Sequence, residues 1–600
     1  MSAAISPTSD APRRAIQRLL LRLSELALAA WMRLANSRTA AFAFFGAVYI
    51  WPTVARAHYK LLWDDEFFTL YLSKAKTWTD LLAALATGAD QHPPSFYYLT
   101  HLICNLVGTS PVTVRLPSIV GFGMACLCLY ETVSRLLTRP WGMAAMLLPL
   151  TSQLYYYASE ARGYALELGF VSFSALMWLL ACEGKRRHFA IPLLAAGLCG
   201  AVASHYYAVL VLIPLAAGEL VRTQHRGKVD LPIWLAFGGA LIPVVGFARI
   251  IVSARAYSAH FWAVPYLHLA LDWYSMTLGY AILLPVGGFA LVIMFRISER
   301  SFSSTTVVPP RSWYSVAFFL FALLPVFGII IAKLVTHAFT ARYMIAASLG
   351  VFVLLILGLR RIIAKDRLGP AFVCAMCLPF FFWHVHEWNQ HKFDELQALR
   401  ATAAAVRRTG DAPVAMAEVT QFHRLSFYAR RDLVRRLAYV ADPHLSTRYM
   451  GHDTIDRGLL ALNPWFPLNV VWWHDWLSAH QSFLVYGYVG EWTWLTFELP
   501  ATSKVQLLKR ENLIGCLLLS VQNARAPVDD RTHSDPSGEP MLYRQFASLE
   551  APLCTVYMTD GCPVVDEGSA STSAAHISSS LADLQVMSHD VVSLRASDLY

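Results

Sequence analysis

The chain has 600 residues, of which 56% are hydrophobic and only 15% are charged. A soluble protein carries about a quarter charged residues, so this composition excludes an ordinary soluble enzyme and predicts a polytopic membrane protein. The formal net charge of +9 does not require a nucleic-acid partner, because basic residues collect on the cytoplasmic loops of membrane proteins.

Residues 1–38 form a polar leader in which Arg14, Arg18 and Arg22 recur every four residues beside leucines. This spacing predicts a basic amphipathic helix on the cytoplasmic membrane surface. Residues 39–57 follow as the first predicted span, which leads the chain to the outside.

Three carboxylates, those of Asp64, Asp65 and Glu66, come directly after this span. Charge beside a bilayer is costly and one carboxylate would suffice for solvation, so the triplet is a candidate functional site. Residues 95–107 are apolar, but about 13 residues are too few for a span, which needs about 20. We therefore expect them to form an interfacial helix within an outer loop, residues 58–115.

Ten further spans are predicted, which makes about eleven and defines a transmembrane domain of residues 39–386. They cover residues 116–134, 141–157, 163–182, 189–204, 206–221, 231–251, 276–295, 313–334, 342–359 and 368–386. The loops on one side of these spans are all basic, as the positive-inside rule requires of cytoplasmic loops. Counting residues 95–107 as a span would put every basic loop outside, so the charges decide the parity. The protein is then expected in the cytoplasmic (inner) membrane, with its N-terminus in the cytoplasm and residue 387 outside.

Residues 387–563 change in composition and predict an extracytoplasmic α/β domain. Helical patterning covers Asp394–Arg408, and short apolar segments predict five strands. These strands are residues 413–417, 437–440, 483–486, 505–509 and 517–521. Residues 564–600 are rich in serine and predict a disordered tail.

Among the ten cysteines of the chain, two pairs are close in sequence and could be bonded or bind a metal. Cys374 and Cys377 form a C-x-x-C inside an apolar helix, which favours packing over redox chemistry or metal binding. Cys554 and Cys562 could form a disulfide if the C-terminal part is extracytoplasmic, and the sequence leaves this open.

Under this topology, polar residues from separate loops gather on the outer side of the membrane. They are Asp64, Asp65, Glu66, His92, Arg115, Glu160, Arg162, His205, Tyr206, Arg255, His260, Lys333, His337, Arg342 and Tyr343. Carboxylates can deprotonate a hydroxyl or amine, arginines bind phosphates, and tyrosine and histidine can hydrogen-bond a sugar. A lipid-phosphate-linked sugar would satisfy all three groups. Taken singly, the arginines could snorkel at span ends and Glu160 could pair with Arg162 in a structural salt bridge.

Several motifs occur in the order found in a known family. They are Trp63-Asp64-Asp65-Glu66, His92-Pro93-Pro94, Arg115-Leu116-Pro117-Ser118, Tyr157 to Leu166, His205-Tyr206 and Arg342-Tyr343. With them, the chain resembles the GT-C membrane glycosyltransferases, which include protein O-mannosyltransferases and the lipid A aminoarabinose transferase. The resemblance covers about residues 39–360.

This resemblance implies an inverting sugar transfer from a polyprenyl-phosphate donor to a glycan, lipid or protein acceptor. It implies catalytic roles for Asp65 as the preferred base, with Glu66, while Asp64 leaves the register within the triplet open. It implies donor-phosphate contacts from Arg162, Arg342, His92 and Arg115. It implies substrate contacts from Glu160, Tyr164, His205, Tyr206 and Tyr343. No cofactor is required by this mechanism, although the outer-loop carboxylates could hold a divalent metal.

Two other function classes fit a polytopic chain. A lipid or glycolipid transporter or flippase would place polar groups near the bilayer midplane, whereas here they cluster at span ends. A non-catalytic scaffold that binds lipid-linked sugars would not need the acidic triplet. The sequence specifies neither the sugar nor the acceptor.

Overall fold

A computed structural model describes most of the chain up to residue 522. The described ranges are residues 10–184, 186–285, 287–288, 311–363, 367–466, 468–488, 493–502, 504–511 and 516–522. The predicted tail, residues 564–600, lies outside them, and so do Cys554 and Cys562, whose pairing the sequence leaves open. The leader is helical over Asp10–Asn36.

Seven described helices are long and apolar enough to cross a membrane, and two bent helix pairs raise this number to as many as nine. The seven are Arg38–Tyr59, Pro111–Leu136, Tyr164–Glu183, Arg187–Ser204, Tyr206–Arg226, Ala341–Ile363 and Leu368–Arg408. The bent pairs are Leu231–Gly246 with Ala248–His260, at 61°, and Ser312–Ala322 with Leu324–Thr336, at 51°. The polytopic class is therefore confirmed, whereas the predicted count of eleven is not.

The two predicted spans without a long helix have different explanations. Residues 141–157 begin as the helix Arg139–Leu147 and continue as 3-10 turns over Leu148–Thr151 and Gln153–Ser159. Pro149 lacks a backbone N–H and cannot continue the α-helical hydrogen bonding, which accounts for the change. Part of the other predicted span, residues 276–295, lies outside the described residues. Its described part begins at the end of the helix Leu269–Leu278 and continues with the turn Gly279–Ile282.

Three short helices follow the first span. They are Asp64–Ser73, Trp78–Leu85 and Pro94–Val107. The last has 14 residues and is not among the helices long enough to cross a membrane, as its sequence predicts. Pro94 lies at its first position, where a missing N–H costs nothing.

The described residues between 394 and 522 form an α/β unit built on a six-stranded sheet. Its strands are β1 Val414–Met416, β2 Leu437–Ala441, β3 Val470–Trp472, β4 Ser482–Tyr488, β5 Lys504–Glu511 and β6 Cys516–Gln522. The order is β3-β2-β1-β4-β6-β5. Strands β3, β2, β1 and β4 run parallel, and β6 pairs antiparallel with β4 and β5.

Apolar side chains cover both faces of this sheet. The helices of the unit are Asp394–Arg408, Val419–Tyr428, Arg431–Val434, Pro443–Met450, Thr454–Leu462, Trp473–Ala479 and Leu495–Thr502. The helix Val419–Tyr428 packs against Asp64–Ser73, where the rings of His423 and Phe67 stack at 5.2 Å. The α/β unit therefore rests directly on the helix that carries the acidic triplet.

Candidate active site

The acidic triplet forms the first turn of the helix Asp64–Ser73. Carboxylates in a first turn complement the helix dipole, which is one structural reason for their presence. Consecutive helical side chains point about 100° apart, because a turn has 3.6 residues. Accordingly Asp64 faces His423, Asp65 faces Arg342 and Glu66 faces Arg115.

Glu66 and Arg115 are fully buried against each other. Arg115 donates to both oxygens of Glu66, at 2.7 and 2.6 Å. Its other three N–H groups go to the carbonyls of Ala57, Lys60 and Leu61 at the end of the first span. All five donors of Arg115 are thus used within the protein, and none is left for the donor phosphate that the sequence led us to expect there.

Glu66 is equally committed. Besides Arg115, it accepts hydrogen bonds from the backbone N–H of Ala161, at 2.7 Å, and of Trp63, at 3.3 Å. Burial alone would raise its pKa, but the charges of Arg115 and Lys60 and the hydrogen bonds hold the pKa below its ordinary value. Glu66 therefore stays ionised with its oxygens occupied, which does not suit the catalytic role expected of it.

This pair fixes the loop before the third long helix. Ala161 is held on both sides, because its carbonyl also accepts from Thr69, at 2.7 Å. The chain turns there, with the N–H of Arg162 donating to the carbonyl of Glu160 at 2.9 Å. At Gly163 a Cβ atom would lie 2.3 Å from the carbonyl oxygen of Ser204. Glycine thus allows the loop to approach the segment that carries His205.

Asp65 is the member of the triplet that meets two arginines. Its Oδ2 lies 3.1 Å from Nη2 of Arg342 and 3.9 Å from Nε of Arg162. The side chain of Asp65 is 21% exposed to solvent, whereas the side chains of both arginines are 6% exposed. The Asp65 side chain is therefore partly exposed, although the Oδ2 atom that faces the arginines is buried, and it lies beside two buried cations.

Arg162 is oriented by Asp90, a residue that the sequence interpretation missed. Its Nη1 donates to Oδ2 of Asp90 at 2.7 Å, and His92 Nδ1 lies 3.1 Å from Oδ1 of the same carboxylate. Burial alone would raise the pKa of Asp90, but Arg162 and His92 hold it well below its ordinary value. Burial and Arg162 lower the pKa of His92. A neutral imidazole therefore lies between the Asp90–Arg162 pair and the hydroxyl of Tyr164, 3.2 Å from Nε2.

Aromatic rings line the same place. His205 lies 5.2 Å from His92, 5.3 Å from Tyr164 and 5.0 Å from Tyr343 between ring centroids. The Tyr206 hydroxyl is buried with no hydrogen-bond partner in the described part of the chain. Rings with polar edges are suited to bind the faces and hydroxyls of a sugar.

Arg342 lies among three further rings. Its guanidinium carbon is 5.7 Å from the ring centroid of Trp63, 5.6 Å from Tyr164 and 5.7 Å from Trp262. Such distances allow cation–π attraction, which holds the guanidinium plane without consuming its donors. Trp262 gave no sequence signal, because it lies in a loop without a motif.

Asp64 and Glu160 have surroundings different from that of Asp65. Burial, Asp65 and Glu418 raise the pKa of Asp64, so its carboxyl tends to stay protonated. Burial raises the pKa of Glu160 as well. Glu160 makes no ion pair with Arg162, the structural alternative that the sequence left open, and the strongest charge acting on it is that of Lys60.

The three outer-loop carboxylates do not converge, since each faces a different partner. Among the described residues, no group of three or more His, Cys, Asp and Glu side chains could hold a metal ion. The triplet is therefore not arranged as a metal ligand set. Cys374 and Cys377 are buried and unpaired, consistent with packing.

Comparison with known proteins bears on this geometry. The family model for dolichyl-phosphate-mannose-protein mannosyltransferases matches residues 91–251. The crystal structure of ArnT from Cupriavidus metallidurans in the apo state is similar with a TM-score of 0.52 and 13% identity, over 80% of this chain and 98% of that chain. Its structure bound to undecaprenyl phosphate gives 0.50 and 11%, over 80% and 97%. The chain has the GT-C fold.

The match to the mannosyltransferase model begins at Gln91 and includes His92, Arg162 and His205. Asp65 and Arg342 lie outside the matched residues, so their assignment depends on the geometry alone. No curated protein sequence matches the chain. Together the comparisons confirm the predicted resemblance to GT-C glycosyltransferases.

Proposed function

We propose that this GT-C protein is an inverting glycosyltransferase that moves a sugar from a polyprenyl-phosphate donor to an acceptor. The observation that carries the proposal is the position of Asp65, a partly exposed side chain whose Oδ2 lies 3.1 Å from Arg342 and 3.9 Å from Arg162. A base beside two cations places proton removal next to the site where a leaving phosphate gathers charge.

Asp65 acts as the base. Asp64 faces His423 of the α/β unit rather than the two arginines, and both oxygens of Glu66 are occupied by hydrogen bonds. We assign Asp64 and Glu66 to support: Asp64 contacts the α/β unit, and Glu66 with Arg115 holds the helix in place.

Arg342 holds the donor phosphate, and Arg162 contributes its charge and its Nε–H, because its Nη1 and Nη2 groups donate to Asp90 and His92. Arginine binds phosphate through paired N–H donors and keeps its charge at any physiological pH. His92 lies against Arg162 at 2.8 Å and contributes a neutral hydrogen-bonding group. The ArnT structure with undecaprenyl phosphate supports a polyprenyl-linked donor for this fold. Stabilisation of the phosphate by these side chains lets it leave without further assistance.

The sugar lies against Tyr164, His205, Tyr206 and Tyr343. The acceptor oxygen or nitrogen gives its proton to Asp65 and attacks the anomeric carbon. The bond from that carbon to the phosphate oxygen breaks, and the electron pair leaves on the phosphate. The configuration of the sugar is inverted, because attack and departure occur on opposite faces.

The reaction takes place on the extracytoplasmic side of the inner membrane. This orientation is supported by the basic loops at the opposite ends of the spans. The α/β unit lies on the same side as Asp65, since the helix Val419–Tyr428 contacts Asp64–Ser73.

The test is Asp65→Asn, assayed in membranes with a polyprenyl-phosphate sugar. We expect loss of transfer with normal membrane insertion. The matched control is Asp64→Asn, which keeps Asp65 intact and retains most of the activity. Full transfer by Asp65→Asn would overturn the assignment. Continued lipid movement without any glycosylated product in the wild type would favour a flippase instead.

A further inference from the structure

Four residues outside the proposed catalytic groups form a second polar place, which we name the basic pocket. It comprises Arg56, Lys60, Tyr156 and Glu160. Arg56 lies in the last turn of the helix Arg38–Tyr59, and Lys60 is one turn further on, which places both on one side. Tyr156 belongs to the turn Gln153–Ser159.

Most polar atoms of the charged groups in the basic pocket have no hydrogen-bond partner among the described residues. Both carboxylate oxygens of Glu160, Nζ of Lys60, and Nε and Nη1 of Arg56 are buried and make no hydrogen bond with any described residue. Glu160 is only 1% exposed. A buried unpaired charge costs more free energy than a buried unpaired neutral polar group. Three such groups at the end of a membrane span indicate a function rather than scaffolding.

The surroundings of these groups are those expected of a binding site for a charged ligand. Burial raises the pKa of Glu160 and lowers that of Lys60, the shifts expected of charges without close partners. The Lys60 ammonium lies 3.8 Å from the Tyr156 ring centroid, and the Arg56 guanidinium lies 5.2 Å from it. The ring therefore aligns two cations without using their N–H donors.

We propose that the basic pocket binds an anionic group, a phosphate or a carboxylate, carried by the acceptor. Arg56 and Lys60 donate to its oxygens, and Glu160 hydrogen-bonds an adjacent hydroxyl or protonated oxygen. The proposal rests on the proposed function, because it takes the other arginines as the site of the donor phosphate.

The acceptor is favoured over the donor because the two sets of cations have different contacts. Arg162 and Arg342 form ion pairs with Asp65, the proposed base, and they are the arginines assigned to the donor phosphate. Arg56 and Lys60 instead lie against the ring of Tyr156 at the end of the first span. A separate set of cations that the donor phosphate does not occupy suits an anionic group of the acceptor.

Protection of Lys60 from acetylation by acetic anhydride tests the pocket without turnover. The full chain in nanodiscs is labelled with and without inorganic phosphate, and each lysine is quantified by mass spectrometry. We expect millimolar phosphate to slow labelling of Lys60 but not of Lys76, an exposed lysine in the loop after Asp64–Ser73. Arg56→Gln should raise the half-protecting phosphate concentration about tenfold, the value of one charge-assisted hydrogen bond.

Each other outcome overturns the proposal. No protection, or protection only far above millimolar phosphate, means an adventitious ion only. Protection by undecaprenyl phosphate equal to that by inorganic phosphate assigns the pocket to the donor. If Arg56→Gln does not fold, Lys60→Met serves instead, with Lys76→Met as control. Lys60→Met should raise the concentration of acceptor, supplied as host membrane extract, that is needed for half-maximal transfer. The donor concentration needed for half-maximal transfer should stay unchanged. If Lys60→Met changes neither concentration, the proposal is also overturned.

Failure of this proposal is separable from failure of the proposed function. Asp65→Asn should retain phosphate protection of Lys60, since the base takes no part in binding the anion. Full transfer by Asp65→Asn with intact protection would reject the catalytic assignment alone, and normal loss of transfer without any protection would reject the basic pocket alone.

Discussion

Arg115 and Glu66 form a two-hydrogen-bond ion pair in which neither side chain reaches solvent. The pair joins the end of the first span, the start of the next span and the loop at Ala161. Two conspicuous charges thus stabilise the site, and the chemistry is left to Asp65 next to them in the chain.

Breaking this pair should lower the stability of the folded protein rather than change a single catalytic step. Glu66→Gln leaves the Arg115 charge buried without its partner, a change that costs about 3–5 kcal/mol. We expect a clear drop in the apparent melting temperature of the detergent-solubilised protein, followed by tryptophan fluorescence. Asp65→Asn is the matched control, because it changes the adjacent carboxylate and should melt close to the wild type. Equal melting of Glu66→Gln and wild type would contradict the structural role.

Local patterns in the sequence predict much of this fold. The helix Asp394–Arg408 is found with the predicted bounds, and five of the six strands lie where alternating apolar segments predict them. The missed strand, β3, has three residues and runs into the helix Trp473–Ala479, so no period of two could develop. The span count among the described residues differs because Pro149 changes residues 141–157 from α-helix into 3-10 turns, an effect that hydropathy does not register, and because part of residues 276–295 lies outside the described residues.

The candidate site was predictable as a set of residues but not as a set of pairs. Asp65, Arg162, Arg342, His92 and His205 come together as the motifs indicate. Asp90 escaped notice because it is a single acid in a mixed loop, and its partner Arg162 is 72 residues away. The only available signal was its position two residues before His92. Arg115 could not be separated from the phosphate-binding arginines, since its five bonds depend on tertiary structure.

Asp90→Asn should lower turnover through Arg162. The substitution removes the charge that orients Arg162, so this side chain can move onto Asp65, which lies 3.9 Å away. We expect a fall in kcat of about tenfold or more, as for a misplaced positioning group, together with weaker binding of undecaprenyl phosphate, because Arg162 also helps to hold the donor phosphate in the proposed mechanism.

A double-mutant cycle provides the control for this prediction. Asp90→Asn combined with Arg162→Gln should be no worse than Arg162→Gln alone, because residues that act through one another are not additive. Additive losses would show that Asp90 acts independently of Arg162.

Arg342→Lys should weaken donor binding although it keeps the positive charge. A lysine ammonium cannot lie flat among the rings of Trp63, Tyr164 and Trp262, nor present paired donors to a phosphate. We expect the Kd for undecaprenyl phosphate, measured in nanodiscs, to rise about tenfold. Arg255→Lys, at an exposed arginine, is the matched control. An unchanged Kd would remove Arg342 from the donor site.

His423 should make the contact between the α/β unit and the acidic helix sensitive to pH. Burial lowers its pKa from 6.5 to about 3, so the ring is neutral where it meets Tyr71, at 3.2 Å, and Asp64, at 3.7 Å. Between these pH values the unfolded chain binds a proton that the folded chain does not. The free energy of unfolding should therefore fall as the pH drops below 6.5, by about 1.4 kcal/mol per pH unit.

His423→Phe isolates this contribution, because phenylalanine keeps the stacking on Phe67 and cannot be protonated. Apparent melting temperatures measured from neutral pH down to about pH 5 should decline less steeply in His423→Phe than in the wild type. His474→Phe, at an exposed histidine of the same α/β unit, should retain the wild-type slope. Equal slopes of melting temperature against pH in all three proteins would mean that protonation of His423 does not oppose folding. The native protein would then not keep His423 buried against Asp64.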